Sequence, residues 1–438
     1  MEFVRVTDEP IEIAIDPAFL SDEEYKRSLK LLAWKFDERR RLLRVARKAP
    51  HLVGRIAIGN TVFSVLPDLE PRQFVNMLLY SAGLDLHRFL DRETAGIDAR
   101  VERGNDDFLV LLAYLMISVT ASLAKGYLAK TYESKSELIQ TIRGRPNWTR
   151  NFGRHPRTGL VCDYKEIQQD NLLNQLVLAG LEVATSILAQ KNTSHDGSIV
   201  FAWRSLCRSI RPTPTSFDLV NKKLNRSTES YRAALAVARI LLFGFTADDM
   251  FDAGQTDLQC MQFDVSLIFE RFLVRILREH FARSSIIVRE QKDDGRAMVD
   301  GWSKTYRSVR PDILLSKGNS IVAVLDAKYK PRYVDVPPSK VTSEDLYQMF
   351  FYASRAKALT TENLRVGILA PSVSKNPSLP VAEDLSVRWT KPGEDSLDLQ
   401  ILPVELSGIL KRLQDGCSAS LALKKSSTLF QFCEQIPQ

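Results

Sequence analysis

Few cysteines, few histidines and no membrane-length apolar run characterise this chain of 438 residues. The five cysteines (Cys162, Cys207, Cys260, Cys417, Cys433) are widely spaced and form no Cys-x-x-Cys pair. That argues against a disulfide framework and against a zinc site. The five histidines are equally dispersed. The N-terminus, Met1-Glu2-Phe3-Val4, has neither the basic nor the apolar region of a signal peptide. A reducing compartment is therefore expected. The uncharged stretch Phe108 to Ala124 has 17 residues and carries Ser118, Thr120 and Ser122. A membrane span needs about 20 apolar residues, so a buried helix and no membrane association are expected. There is no internal repeat, no low-complexity run and no GxxxxGK[ST] phosphate loop, so the chain is not expected to hydrolyse nucleotide itself.

What is present is ordinary for a globular protein: 45% apolar and 26% charged residues. Lys plus Arg number 60 against 53 acids, a net charge of +7. This mild bias permits an anionic partner without demanding one. The length exceeds one hydrophobic core, and a prior of about 150 residues per domain gives roughly three units.

The pattern predicts short strands at Phe3 to Val6 and Ile11 to Ile15. A long helix is predicted over Ser21 to Lys48, opened by the capping pair Ser21 and Glu24. Residues 26–48 hold 10 Lys/Arg and 2 acids, either a solvated helix face or a docking surface. A hairpin about Gly59-Asn60 is predicted over Leu52 to Leu66. Helices are predicted over 71–90, 106–130, 166–190, 198–210 and 229–243, with a Pro-containing break at 211–215. From about residue 260 the order becomes α-β-β-β-α-β: helix Asp264 to His280, strands Ser285 to Arg289, Tyr306 to Leu315 and Ile321 to Lys328, helix Ser343 to Ala358, strand Leu364 to Ala370. That is a mixed sheet with helices packed on it.

Two adjacent strands of this last part end in charge. One contains Pro311-Asp312, the other Asp326-Ala327-Lys328. Alternation puts Asp326 and Lys328 on one face, and Asp312 on the hairpin partner can reach it. Charges at the end of a buried strand are costly unless paired or bound to metal. Two carboxylates suit Mg²⁺, which keeps several waters and uses few protein ligands. Lys328 is placed to orient or deprotonate a water and to stabilise a pentavalent transition state. The chemistry indicated is metal-dependent phosphodiester hydrolysis, with Asp312 and Asp326 as metal ligands and Lys328 beside them. Glu270, in the preceding helix, is a candidate further carboxylate. Gln348 and Tyr352, four apart on a helix, share a face and can hold phosphate or position the lysine. The segment 143–157 has five arginines, no acid and interleaved aromatics. Its Arg143, Arg145, Trp148, Arg150 and Arg154 are candidates for contact with nucleic acid or a protein partner.

The Pro311-Asp312 and Asp326-Ala327-Lys328 pair resembles the PD-(D/E)xK nuclease superfamily. The surrounding text narrows the likeness. Phe263-Asp-Val-Ser-Leu-Ile-Phe-Glu-Arg-Phe272, Leu325-Asp-Ala-Lys-Tyr-Lys330 and Asp345-Leu-Tyr-Gln-Met349 resemble the McrC family, the nuclease subunits of McrBC-type 5-methylcytosine-specific restriction systems. His51 to Asn60, Phe74 to Tyr80, Arg143-Gly-Arg145 and Cys162 to Glu166 are similar to upstream blocks of that family. One departure is Pro67-Asp68, where the family has Pro-Lys.

The resemblance implies an α+β multidomain chain with a small β-rich N-terminal part, a helical middle and a C-terminal restriction-endonuclease-like α/β domain. The expected boundaries are 1–100 for a partner-docking region, 101–255 for a helical connector and 256–438 for a PD-(D/E)xK endonuclease domain. It implies catalytic Asp312, Asp326 and Lys328 with accessory Glu270 and Gln348, and Mg²⁺ as cofactor. It also implies a hexameric McrB-type AAA+ GTPase partner whose GTP hydrolysis the chain stimulates, with GTP entering only through that partner, and double-stranded, methylated DNA as substrate. The alternatives left open are an assembly subunit with a vestigial nuclease fold, and a stand-alone nuclease.

Overall fold

Period-two alternation of apolar residues, more than helix propensity, organises the N-terminal part. The computed structural model describes residues 2–7, 9–13, 26, 28–29, 31–37, 42–58, 61–93, 107–124, 128–190, 200–201, 203, 224, 226, 228–244, 260–290, 298–299, 305–307, 310–334, 341–357, 364–372, 386–389 and 397–436. Strands β1 (Glu2–Val6), β2 (Ile11–Ile13), β3 (Leu32–Asp37), β4 (Leu42–Arg47), β5 (Leu52–Ile58) and β6 (Thr61–Val65) come first. The long helix expected over Ser21 to Lys48 is thereby corrected: residues 32–47 carry the antiparallel pair β3-β4, with β2 on the other side of β4. LAWKFD and LLRVAR alternate and are rich in strand formers. Leu32 and Val45 are fully buried, and Arg44 reaches across to Glu12 at 2.7 Å. Ser21 and Glu24 lie outside the described residues.

The expected hairpin is present as β5-β6, and β1 joins β6 in parallel. The single helix expected over 71–90 is two, Pro71–Ser81 and Leu86–Glu93. Gly83, at φ +94°, divides them, a backbone conformation that favours glycine. β5 carries a buried arginine, Arg55, which pairs with the equally buried Asp107. Asp107 Oδ1 also accepts from Leu109 N at 3.0 Å and so caps the helix Phe108–Ala124.

The middle is not wholly helical. β7 (Thr131–Ile139), β8 (Arg145–Pro146) and β9 (Leu160–Gln168) make an antiparallel sheet in the order β7-β9-β8. The helix expected from 166 starts only at Leu172. Gly144 has φ +71°, and a Cβ there would collide with the Asp163 carbonyl, so the turn between β7 and β8 requires glycine. Helices Leu172–Gln190 and Arg232–Phe243 pack where Gly180 meets Ala238; a Cβ at 180 would lie 2.7 Å from that of Ala238. Leu172–Gln190 is, among the described residues, the one helix long and apolar enough to cross a membrane. Its Leu176, Val177, Leu181, Ala184 and Leu188 are buried within the protein, as in a core helix. The helix expected over 198–210 lies outside the described residues except at 200, 201 and 203.

β10 (Cys260–Asp264) returns to β5 and completes a sheet of order β1-β6-β5-β10. It comes so close that a Cβ on Gly54 would collide with the Met261 carbonyl. Asp264 Oδ1 then accepts from Ser266 N at 2.9 Å and Leu267 N at 3.2 Å, capping the helix Val265–His280. β11 (Ile286–Glu290), β12 (Met298–Val299), β13 (Thr305–Arg307), β14 (Ile313–Lys317) and β15 (Ser320–Ala327) follow. After the helix Ser343–Lys357 come β16 (Arg365–Ser372), β17 (Ser386–Trp389) and β18 (Leu397–Glu405). The expected order α-β-β-β-α-β is present within a larger mixed sheet, β11-β14-β15-β16-β18-β17. The strand expected over Tyr306 to Leu315 is split: β13 pairs with β12, and β14 starts only after Pro311, which has no N–H to offer a ladder. Helices Leu406–Gln414, Ala419–Leu423 and Ser427–Glu434 close the chain.

Contacts divide the molecule into two compact units. One comprises Met1–Leu111, Phe245–Ala247 and Gln259–Gln438; the other comprises Leu112–Gly244 and Asp248–Leu258. Among the described residues, Cys162, Cys417 and Cys433 are free thiols.

The Arg55–Asp107 pair sets a stability test. Asp107→Ala strands a buried guanidinium and removes a cap, and is expected to cost about 3–5 kcal/mol in urea unfolding. The double variant Arg55→Met/Asp107→Leu is expected to recover most of that loss.

Candidate active site

β15 is a central strand, paired antiparallel with β14 and parallel with β16. Its last six residues are buried. The register pairs Ile313 with Leu325, so the next step of the ladder sets Asp312 opposite Asp326. Residues directly opposite in an antiparallel pair point to the same face. Asp312 Oδ2 accepts from Ala327 N at 2.9 Å, which fixes its carboxylate beside the end of β15. Leu314, Val324 and Ile368 pack against Met349, Ala353 and Ala356, so helix Ser343–Lys357 covers the face that carries Asp312 and Asp326. The alternate residues of these strands face helix Val265–His280, where Phe269 stacks edge-on to Tyr329 with centroids 5.7 Å apart.

Asp326 is completely buried. Lys328 Nζ lies 2.7 Å from its Oδ2, while Oδ1 has no hydrogen-bond partner among the described residues. A buried carboxylate oxygen without a donor costs stability, and a bound cation would satisfy it. Burial, with Asp326 and Glu270 adding like charge, pushes Asp312 up to about 8. Burial works against the Lys328 ammonium, but the ion pair with Asp326, helped by Asp312 and Asp345, outweighs it and holds the lysine above its ordinary range. Glu270 is buried and close enough to act on Asp312 electrostatically, yet it comes from the helix on the opposite face. Among the described residues no three His, Cys, Asp or Glu side chains converge to cage an ion. The donor set is thus two carboxylates, which fits Mg²⁺ better than a cation needing a full protein cage.

Gln348 and Tyr352 stand together as their spacing predicts. Gln348 Nε2 donates to the Tyr352 hydroxyl at 2.9 Å, and that hydroxyl reaches the Arg310 carbonyl at 3.4 Å. Burial, with the charges of Asp326 and Asp312, raises the Tyr352 phenol. A further network lies outside the residues expected from the sequence. Lys330 Nζ lies 2.6 Å from Asp345 Oδ2 and donates to the Tyr333 hydroxyl at 3.2 Å. Tyr333 hydrogen-bonds Asp345, and its hydroxyl sits 3.1 Å from Thr342 Oγ1. Burial opposes ionisation of Asp345, but hydrogen bonds from Lys330 and Tyr333 hold it below the carboxylate range. This cluster ties the first turn of helix Ser343–Lys357 to the segment after β15. Its signal was present as a second lysine, two residues after Lys328.

Arg143, Arg145, Trp148, Arg150 and Arg154 lie in the other unit, on and beside the β7-β9-β8 sheet. The Arg143 guanidinium sits 4.6 Å over the Tyr164 ring and 3.7 Å from Glu166. Arg150 Nη1 donates to Ser136 Oγ at 3.0 Å. Trp148 is 72% exposed and Phe152 93% exposed, while Arg145 and Arg154 are also exposed.

The family model described as McrBC 5-methylcytosine restriction system component matches residues 47–366. A chain of the refined half-complex from a tetradecameric assembly of Thermococcus gammatolerans McrB AAA+ hexamers with bound McrC is similar in fold. The TM-score is 0.59 at 18% identity, over 94% of this chain and 98% of that one. A chain of the Thermococcus gammatolerans McrBC complex, solved by cryo-EM, matches with TM-score 0.44 and 18% identity over 66% of this chain and 89% of that one. No curated protein matches.

The raised Asp312 pKa makes stability depend on pH with a definite sign. Between about 4 and about 8 the folded chain keeps a proton that the unfolded chain has released, so this group lowers stability as pH rises through that window. Asp312→Asn keeps the acceptor for Ala327 N and cannot ionise. In metal-free buffer it is expected to gain stability over the wild type by a few kcal/mol on going from pH 5 to pH 8, read by thermal or urea unfolding. A gain independent of pH contradicts the assignment.

Proposed function

The chain belongs to the family of McrBC 5-methylcytosine restriction system components, and from that membership we propose that it is the DNA-cutting subunit of such a system. The observation that carries this reading is the Asp312, Asp326 and Lys328 group, with one fully buried carboxylate oxygen left unpartnered. The nuclease domain is then a PD-(D/E)xK fold built on β14 and β15, and the reaction is hydrolysis of a phosphodiester in methylated double-stranded DNA.

Asp312 and Asp326 are the residues that would hold Mg²⁺, which when bound supplies positive charge against the scissile phosphate and makes nearby water more acidic. The chain's own groups do the rest. The Asp326 carboxylate holds the Lys328 ammonium by an ion pair, so its remaining N–H donors are directed at charge developing on the phosphate. The raised lysine pKa keeps that group protonated at neutral pH, which favours electrostatic stabilisation over a role as free base. The Tyr352 hydroxyl, which accepts from Gln348 Nε2, holds that amide in place, and the second N–H of Gln348 is the donor for a non-bridging phosphate oxygen. Glu270, behind the sheet, acts through its charge on Asp312.

The solved complex of similar fold contains McrB AAA+ hexamers with bound McrC. We extend that association to this chain: it docks on a hexameric AAA+ GTPase, stimulates its GTP hydrolysis and receives GTP energy only through it. The exposed Arg and aromatic side chains around Trp148 are a contact surface for that partner or for DNA. A cytoplasmic location belongs to the same reading.

With the AAA+ partner, GTP, Mg²⁺ and methylated plasmid, Asp326→Ala is expected to lower cleavage by about a hundred-fold or more while leaving GTPase stimulation intact. Undiminished cleavage sinks the site assignment, and a wild type that stimulates GTPase without ever cutting favours an assembly subunit instead. Trp148→Ala/Phe152→Ala is expected to weaken partner-dependent GTPase stimulation or DNA binding several-fold with an unchanged melting temperature, since both rings are exposed.

A further inference from the structure

Helix Ser343–Lys357 has three distinct faces. Met349, Ala353 and Ala356 are buried in the core against the sheet. Gln348 and Tyr352 form a hydrogen-bonded pair beside Asp312 and Asp326. The third face carries Tyr347, Phe350 and Phe351, which are 73%, 42% and 37% exposed. Tyr347 and Phe351 are four apart and so share one face, each next in sequence to a member of the Gln348–Tyr352 pair. Three large aromatic rings on one surface helix are costly in water and mark a contact site.

The surroundings indicate which contact. Arg310 is exposed, and its carbonyl meets the Tyr352 hydroxyl. Arg355 and Lys357 occupy the last turn of the same helix, and Arg332 is exposed just after β15. Aromatic rings among cations beside a phosphodiester site match a nucleic acid strand, which offers phosphates to the cations and base and sugar surface to the rings. We propose that Tyr347 and Phe351, with Phe350 behind them, form an aromatic ledge that packs on the bases or sugars flanking the scissile phosphate and seats the DNA on Asp312 and Asp326. The inference rests on the nuclease reading, and its test is a binding measurement that needs no cleavage.

The full-length chain carrying Asp326→Ala is titrated with a fluorescently labelled DNA duplex in Mg²⁺ buffer, with and without Tyr347→Ser/Phe351→Ser. Fluorescence anisotropy is expected to show about a ten-fold or greater loss of affinity in the ledge variant. The slope of log affinity against log salt is expected to stay the same, because no phosphate contact is removed. Arg310→Ala is expected to weaken binding and to reduce that slope by about one. Both ledge residues are exposed, and an unchanged melting temperature confirms that the variant is folded. Equal affinity with and without the ledge rings overturns the proposal, as does failure of the Asp326→Ala parent to bind duplex. Equal affinity together with a shift from dimer to monomer in light scattering assigns the face to a second copy of the chain and equally overturns it. Cleavage by the wild type, scored separately, shows whether the nuclease reading itself stands.

Discussion

The pairing of β14 with β15 is the constraint on which the candidate site depends. A shift of one residue in that ladder would send Asp326 to the opposite face and separate it from Asp312. The register is held because both strands are buried on both sides, with Leu314 and Val324 in one core and Ile313, Leu315 and Leu325 turned to the other. The turn at Gly318-Asn319, with Gly318 at φ +57°, sets the first pairs of the ladder, and a bulge between Leu315 and Ser316 then shifts the register by one residue and brings Asp312 opposite Asp326. The parallel neighbour β16 then forces Asp326 into the middle of the sheet, next to Ile368. The electrostatic character of the site, a carboxyl lifted by burial and a lysine held charged, is a consequence of that placement.

Much of this was legible in the sequence, for physical reasons that also explain the failures. Asp-x-Lys at the end of an apolar run can be read because side-chain direction in a strand has period two, and Pro311 marks where the partner strand must begin. Gln348 and Tyr352 could be paired because helical neighbours recur at four. The segment 32–47 failed because its basic residues look like a helix face when counted by composition; only the alternation in LAWKFD and LLRVAR, read residue by residue, gives the strands. The sheet at 131–168 was hidden because its strands are exposed on most sides and so lack the apolar alternation that marks a half-buried strand. Glu270 could be placed on a buried helix face, but nothing local told which side of the sheet that helix covers. The Lys330–Asp345 pair joins residues 15 apart across a bend, and no periodicity connects them.

That pair also bears on how firmly the site is held. Lys330, Tyr333, Thr342 and Asp345 bind the start of helix Ser343–Lys357 to the chain that leaves β15. The same helix carries the Gln348–Tyr352 pair one turn further on. A side-chain network outside the charged cluster therefore sets the distance between the Gln348–Tyr352 pair and the carboxylates, and it does so through a half-buried ion pair whose geometry Tyr333 and Thr342 fix.

The unit that holds the site is assembled mainly from two distant lengths of chain, 1–111 and 259–438, with most of the other unit written between them. β5 and β6 are made early, but the strand that covers the open side of β5 arrives roughly two hundred residues later. On a ribosome, the first sheet must wait with an unpaired edge, a known hazard for mispairing, until Cys260–Asp264 has emerged. Asp264, the residue that ends the closing strand, also caps helix Val265–His280. Completion of the first sheet and initiation of the helix that backs the site are thus a single event in the life of the nascent chain.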